Sequence, residues 1–161
     1  MVPVRVHGVA LLPPDETPVM LLREITGERR WLPIAIGAPE ATALVAACQQ
    51  VVHSRPDTIE LIGQVIEVFG HVERVEVTAL DSGVFFSDLV LGDGVRVSAR
   101  PSDAVAIGVR AGVPLEVDEA VLAVASTTFE LADDDVEQQI ADFRVELDYV
   151  SPEDFGDPPT G

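Results

Sequence analysis

The chain has 161 residues, 47% of them apolar, and a positive mean hydropathy, which is room for one domain with a sizeable core plus a tail. No apolar run approaches the ~20 residues of a membrane helix, and residues 1–5 alternate like a strand, so neither a membrane span nor a signal peptide is expected and the default compartment is the cytoplasm. The net charge of −18 comes from 28 acids against 10 basic residues, all Arg, and repels a phosphate backbone at long range; a nucleic-acid binder of this composition needs a local Arg cluster or a bridging divalent metal.

Val2, Val4 and Val6 alternate with Arg5 and His7, the pattern of a half-buried strand. Pro13-Pro14-Asp15-Glu16 is a turn, residues 19–25 a second strand, and Thr26-Gly27-Glu28 a hairpin turn. Residues 30–36 form a third strand, in which Pro33 argues for an edge or a bulge. Gly37-Ala38-Pro39-Glu40 then opens a helix whose apolar stripe is Ala41, Leu44, Val45, Cys48 and Val52. Cys48 is the only cysteine and reads as inert core; it permits no internal disulfide and no thiolate zinc cage.

Asp57-Thr58-Ile59-Glu60 is a capping box for a second helix. Ile59, Ile62, Ile66 and Phe69 line one face and Leu61, Val65 and Val68 a second, which predicts burial on more than one side, with Gly70 at the C-terminal cap. Strands follow at 72–80, 84–91 and 95–99, separated by Asp81-Ser82-Gly83 and Gly92-Asp93-Gly94, so the three are expected to be antiparallel neighbours. Arg100-Pro101-Ser102-Asp103 turns the last strand into a helix. Proline holds Arg100 extended, Ser102 is placed to cap, and Asp103 complements the helix dipole. Small residues Ala104, Gly108 and Ala111 share a face, Gly112-Val113-Pro114 ends the helix, and a short strand at 115–117 and a short helix at 118–124 follow.

The last segment is acidic, with a net charge of −10 over residues 130–161. Val136, Ile140, Phe143 and Leu147 follow helical spacing within 134–147, and residues 151–161, rich in Pro and Asp, read as a flexible tail. The order of elements gives an α+β fold: an antiparallel or mixed β-sheet with helices packed on it.

Several segments resemble the bifunctional nuclease domain family of small bacterial and plant-linked proteins associated with DNase and RNase activity. They are Leu32-Pro33-Ile34-Ala35-Ile36-Gly37 with Glu40-Ala41, Arg55-Pro56-Asp57-Thr58, Phe85-Phe86-Ser87-Asp88-Leu89, and the stretch from Ala99 to Ile107 leading into Val113-Pro114-Leu115-Glu116-Val117. Phe143 to Phe155 is similar to the C-terminal segment of actinobacterial members. The resemblance implies a bifunctional-nuclease-like domain over 1–129, an acidic C-terminal helix over 130–150 and a tail over 151–161. Where the family has His-Asp after its Arg-Pro-x-Thr motif, this chain carries Ile59-Glu60, and the natural general base or ligand at that place is gone.

The resemblance implies a metal-assisted nuclease acting on DNA or RNA. Arg100, Ser102, Asp103 and Glu40 are the candidate catalytic residues. Arg55, Thr58 and Arg100 are the candidate substrate contacts, because guanidinium matches phosphate bidentately. Glu40, Asp88 and Asp103 are the candidate ligands for Mg²⁺ or Mn²⁺. The same side chains also read as a structural ion-pair network, with Arg100 bound to Glu40 or Asp103. His7, His53 and His71 lie far apart, with no pair at metal-ligand spacing. Two other functions fit: a non-catalytic regulatory or adaptor protein that keeps the fold, and a small anion-binding module. A positive mean hydropathy, available strand edges and helices apolar on more than one side predict a homo-oligomer, most simply a dimer.

Overall fold

The computed structural model describes residues 1–128. Local turn chemistry builds most of its sheet. β1 (Val2–Leu12), β2 (Thr17–Glu24) and β3 (Trp31–Ala35) form one antiparallel meander, and β4 (Val72–Asp81), β5 (Val84–Leu91) and β6 (Arg96–Ala99) form another. Ser82 and Gly83 both take positive φ, 51° and 79°, the two-residue hairpin turn that matches strand twist. β7 (Leu115–Val117) joins the halves by pairing antiparallel to β1 and parallel to β4. The order is β3-β2-β1-β7-β4-β5-β6, a seven-stranded mixed sheet, with Pro33 on the edge strand as its ring requires.

α1 (Ala38–Cys48) packs on β1, β2 and α3 (Pro101–Ala111), and α3 packs on β4 and β5. The close approach of α3 needs a glycine: a Cβ at Gly108 would lie 2.5 Å from Val75 Cγ2 and 3.1 Å from Leu115 Cδ2. Gly112 ends α3 in the left-handed region, φ 68°. α4 (Glu119–Ala125) is capped by the Asp118 carboxylate, which accepts from the Ala120 N–H, and Thr127 then bridges Trp31 on β3. Leu22, Leu32, Leu44, Val75, Val105 and Leu122 lie in one continuous core. No helix of the described residues is long and apolar enough to cross a membrane.

Three expectations are corrected. α1 stops at Cys48, so Val52 leaves the stripe for solvent and Cys48 itself is exposed at the helix end. Ser102 does not cap α3: Pro101 takes the first helical position, Arg100 becomes the N-cap with no side-chain cap bond, and Ser102 is buried in the first turn. α2 (Thr58–Phe69), capped by Asp57, packs chiefly on α3 and buries only Ile59; Leu61, Val65, Val68 and Phe69 are exposed on the single chain. The predicted helix within 134–147, with Val136, Ile140, Phe143 and Leu147, and the tail over 151–161 lie outside the described residues.

Candidate functional site

The strand-to-helix corners bring two helix starts together. Pro101 holds Arg100 extended, at φ −64° and ψ 145°, and its guanidinium reaches across to α1. Arg100 Nε donates to Asp103 Oδ2 at 2.7 Å and Nη1 to Glu40 Oε1 at 2.8 Å. Glu40 folds back over Gly37, where any Cβ would collide with its carboxylate. Glu40, Arg100 and Ser102 border a cleft of about 400 Å³ closed on its other side by the β4–β5 turn. The two carboxylates raise the pKa of Arg100 further, so it stays charged. Glu40, Arg100 and Asp103 therefore come together, as an ion-paired group.

Asp88 does not join them. Its register partner is Glu76, whereas Val75 and Leu89 point to α3, so the pleat puts Asp88 on the opposite sheet face. There Arg96 Nε donates to Asp88 Oδ2 at 3.0 Å and also binds the buried Glu76, which takes a second bond from Arg74 Nε at 2.7 Å. Asp88 belongs to a ladder of alternating charge across β4, β5 and β6.

A second group forms where the 49–57 loop enters α2. The Asp57 Oδ1 that caps the helix accepts from the Glu60 N–H at 2.8 Å, which fixes both carboxylates on the first turn. His53 Nδ1 lies 2.5 Å from Glu60 Oε1 and 3.7 Å from Asp57 Oδ2. From the C-terminal end of α3, Arg110 Nη2 stands 3.1 Å from Glu60 Oε1, while its Nη1 donates to the Val51 carbonyl at 2.8 Å and ties down the loop. The His53 hydrogen bond, against partial burial and with help from the Arg110 charge, holds Glu60 below the usual carboxylate range.

One nitrogen and two carboxylate donors, all within 4.8 Å of one another and half-buried, make a set able to hold a metal ion. With Arg110 offsetting one carboxylate, Asp57 and Glu60 keep one negative charge uncompensated by arginine, which favours a cation. Arg55 and Thr58 lie between His53 and Glu60 in the chain, both exposed, and Arg55 engages no carboxylate among the described residues. Sequence reasoning recognised Asp57 and Glu60 as a cap only, set His53 aside for want of a second histidine at ligand spacing, and passed over Arg110. The available signal was His53 four residues before Asp57 and seven before Glu60, spanning a loop and a helix start. Ile59, at the place of the family's histidine, is the residue that α2 turns into the core.

Comparison with known proteins follows the same segments. The bifunctional nuclease domain model matches residues 20–130. An uncharacterised protein of Mycobacterium tuberculosis is 43% identical over 159 residues, covering 94% of this chain and 96% of its own length. Bifunctional nuclease 1 of Arabidopsis thaliana is 28% identical over 109 residues, 63% of this chain and 34% of that protein. Bifunctional nuclease 2 of Oryza sativa subsp. japonica is 29% identical over 111 residues, 65% of this chain and 34% of its own. The chain thus spans about a third of the plant relatives and nearly all of the mycobacterial one.

Proposed function

The chain belongs to the bifunctional nuclease domain family, and on that premise we propose that it is a metal-assisted phosphodiester hydrolase of DNA or RNA, with its centre at His53, Asp57 and Glu60. The observation that carries this reading is the convergence of those three side chains within 4.8 Å, on the loop that also presents Arg55. Independently of that centre, we propose that the chain is cytoplasmic and homo-oligomeric.

The donor chemistry fits a divalent cation. Two carboxylates suit Mg²⁺ and Mn²⁺ alike, and the imidazole nitrogen tilts the choice to Mn²⁺. Such an ion supplies Lewis acidity and lowers the pKa of bound water. The chain's own groups do the rest. Glu60 Oε1 holds the His53 ring at Nδ1, so the ring nitrogen that would ligate an ion is the one facing both carboxylates. Arg55 offers a fork of donors to a phosphate, and Thr58 opens α2, whose first N–H groups favour phosphate oxygens. Arg110 adds to the His53 hydrogen bond in holding Glu60 ionised, and it anchors the loop.

A second reading puts the scissile phosphate at Arg100, with Glu40 and Asp103 as ligands and Ser102 in the first turn. It is favoured by the cleft that Glu40 and Arg100 border. Cleavage of plasmid DNA and of single-stranded RNA by the purified chain with Mn²⁺ or Mg²⁺ separates the two. On the first reading His53→Ala and Glu60→Gln abolish cleavage and Arg100→Ala with Asp103→Ala keeps it. The reverse pattern moves the centre to Arg100. No metal-dependent cleavage at all leaves the adaptor or anion-binding function.

A further inference from the structure

We infer that the outward face of α2 is a homodimer interface, in which two copies pair their α2 helices about a twofold axis near Val65. The inference stands apart from the nuclease reading, because it rests on packing alone. α2 turns Ile59 inward and contacts α3, yet its opposite side is apolar as well. Leu61 is 52% exposed, Val65 49%, Val68 77% and Phe69 84%, with Ile62 beside them. At 100° per residue these five positions span about 120° of the helix surface, a continuous stripe and not a scatter of single side chains.

The area favours a second copy. Those exposures leave roughly 500 Å² of apolar surface on one helix, at the upper end of what a monomer shows. Two such faces brought together remove about 1,000 Å² in total, the lower bound for stable association. A twofold axis makes one patch self-complementary, and Val65 sits at the middle of the stripe with Leu61 and Phe69 equidistant in sequence on either side.

Charge points the same way. The only charged residues of α2 are Glu60 and Glu67, and Glu60 is already compensated by His53 and Arg110. A second α2 therefore brings little charge to the contact. Residues 130–161 carry a net charge of −10, which a helix with no basic residue of its own would leave unpaired. Anionic lipid and nucleic acid are disfavoured on the same ground. Antiparallel pairing of this kind sets the His53–Asp57–Glu60 groups of the two copies at opposite ends of the joined helices, so a single assembly carries two such groups.

Sedimentation equilibrium of the full chain at micromolar concentration tests this. The expected mass is twice the 17.2 kDa of one chain. The double variant Val68→Glu/Phe69→Glu should sediment as a monomer, with a dissociation constant at least ~100-fold higher and unchanged far-ultraviolet circular dichroism, since both side chains are exposed. Val124→Glu, at an exposed apolar residue of α4, should remain a dimer. A monomeric wild type, or a dimer that survives the double variant, overturns the inference. If the wild type is a monomer in which Val68→Cys, in a Cys48→Ser background, resists maleimide, the face belongs to residues 129–161 of the same chain, and the inference is likewise wrong.

Discussion

At the N-terminal end of α3, Arg100 lies mostly exposed between the carboxylates of Glu40 and Asp103; at the C-terminal end, about 15 Å away, Arg110 lies largely buried beside His53, Asp57 and Glu60. Both clusters set one guanidinium beside two acids, Glu40 of α1 and Asp103 of α3 itself at the first end, Asp57 and Glu60 at the start of α2 at the second. At the first end, both carboxylates direct an oxygen to the guanidinium and pin the start of α1 to the start of α3. At the second, a histidine adds a ring nitrogen, and Arg110 directs one nitrogen to a loop carbonyl. An arginine between acids is thus a clamp in one setting and part of a mixed donor set in the other. The difference comes from what stands on the third side.

The largest effect expected is on cleavage. His53→Ala or Glu60→Gln should lower the rate of metal-dependent cleavage by two orders of magnitude or more, the usual weight of a positioned acid–base or ligand group. Arg100→Ala should change it less than tenfold. Equal losses at both ends of α3 would erase the distinction between clamp and donor set.

A third arginine cluster calibrates what burial adds. Glu24, buried at the end of β2, takes Arg30 Nη2 at 2.7 Å, Nε at 3.0 Å and the Arg30 N–H at 2.7 Å, and Arg30 reaches on to Glu119 at 2.9 Å. The Arg30 hydrogen bonds, against burial, hold the Glu24 carboxyl below its ordinary 4.5. Its folded pKa is depressed, so the stabilisation is complete above the unfolded value and is lost as pH falls through the folded one. Glu24→Gln should cost about 3 kcal/mol at pH 7, by urea denaturation, because it leaves Arg30 underpaired in a buried setting. The gap to wild type should narrow steadily below pH 4.5. A gap constant from pH 7 to pH 3 would show that the carboxylate charge contributes nothing.

Gly108 lies between the two ends. Gly108→Ala forces a methyl against Val75 and should destabilise by about 2 kcal/mol, with both ends of α3 moving together. The smallest effect is that of Arg100→Ala on the melting temperature, which should stay close to wild type because the pair is solvent-screened. A large drop there would mean that the exposed clamp holds α1 and α3 together more firmly than its exposure suggests.

Sequence reasoning reached those parts of the fold that local chemistry decides. Ser82-Gly83 marks a hairpin, Gly112 ends α3, and Pro101 holds Arg100 extended; each is a backbone preference of one or two residues. The place of β7 between β1 and β4 was not legible, because three residues cannot announce a parallel partner forty positions away. The α2 face was read as buried because periodicity records apolarity and not what covers it. At the candidate site, the pairing of Arg100 with Glu40 and Asp103 was foreseen as one of two readings, from the helix starts. The proximity of His53 to Glu60 depends on how the 49–57 loop is tied back by Arg110, a contact spanning 59 residues. The four- and seven-residue offsets to Asp57 and Glu60 hint at it without fixing the path of the loop.

The place where a divalent ion binds decides between the two ends of α3. Mn²⁺ titrated into the full-length chain and followed by electron paramagnetic resonance should fill one site per chain. That site should be lost in His53→Ala and in Glu60→Gln, and retained in Glu40→Gln and in Asp103→Asn. Binding that survives His53→Ala and Glu60→Gln but disappears in Glu40→Gln or Asp103→Asn would contradict it and transfer the centre to the Arg100 end of α3.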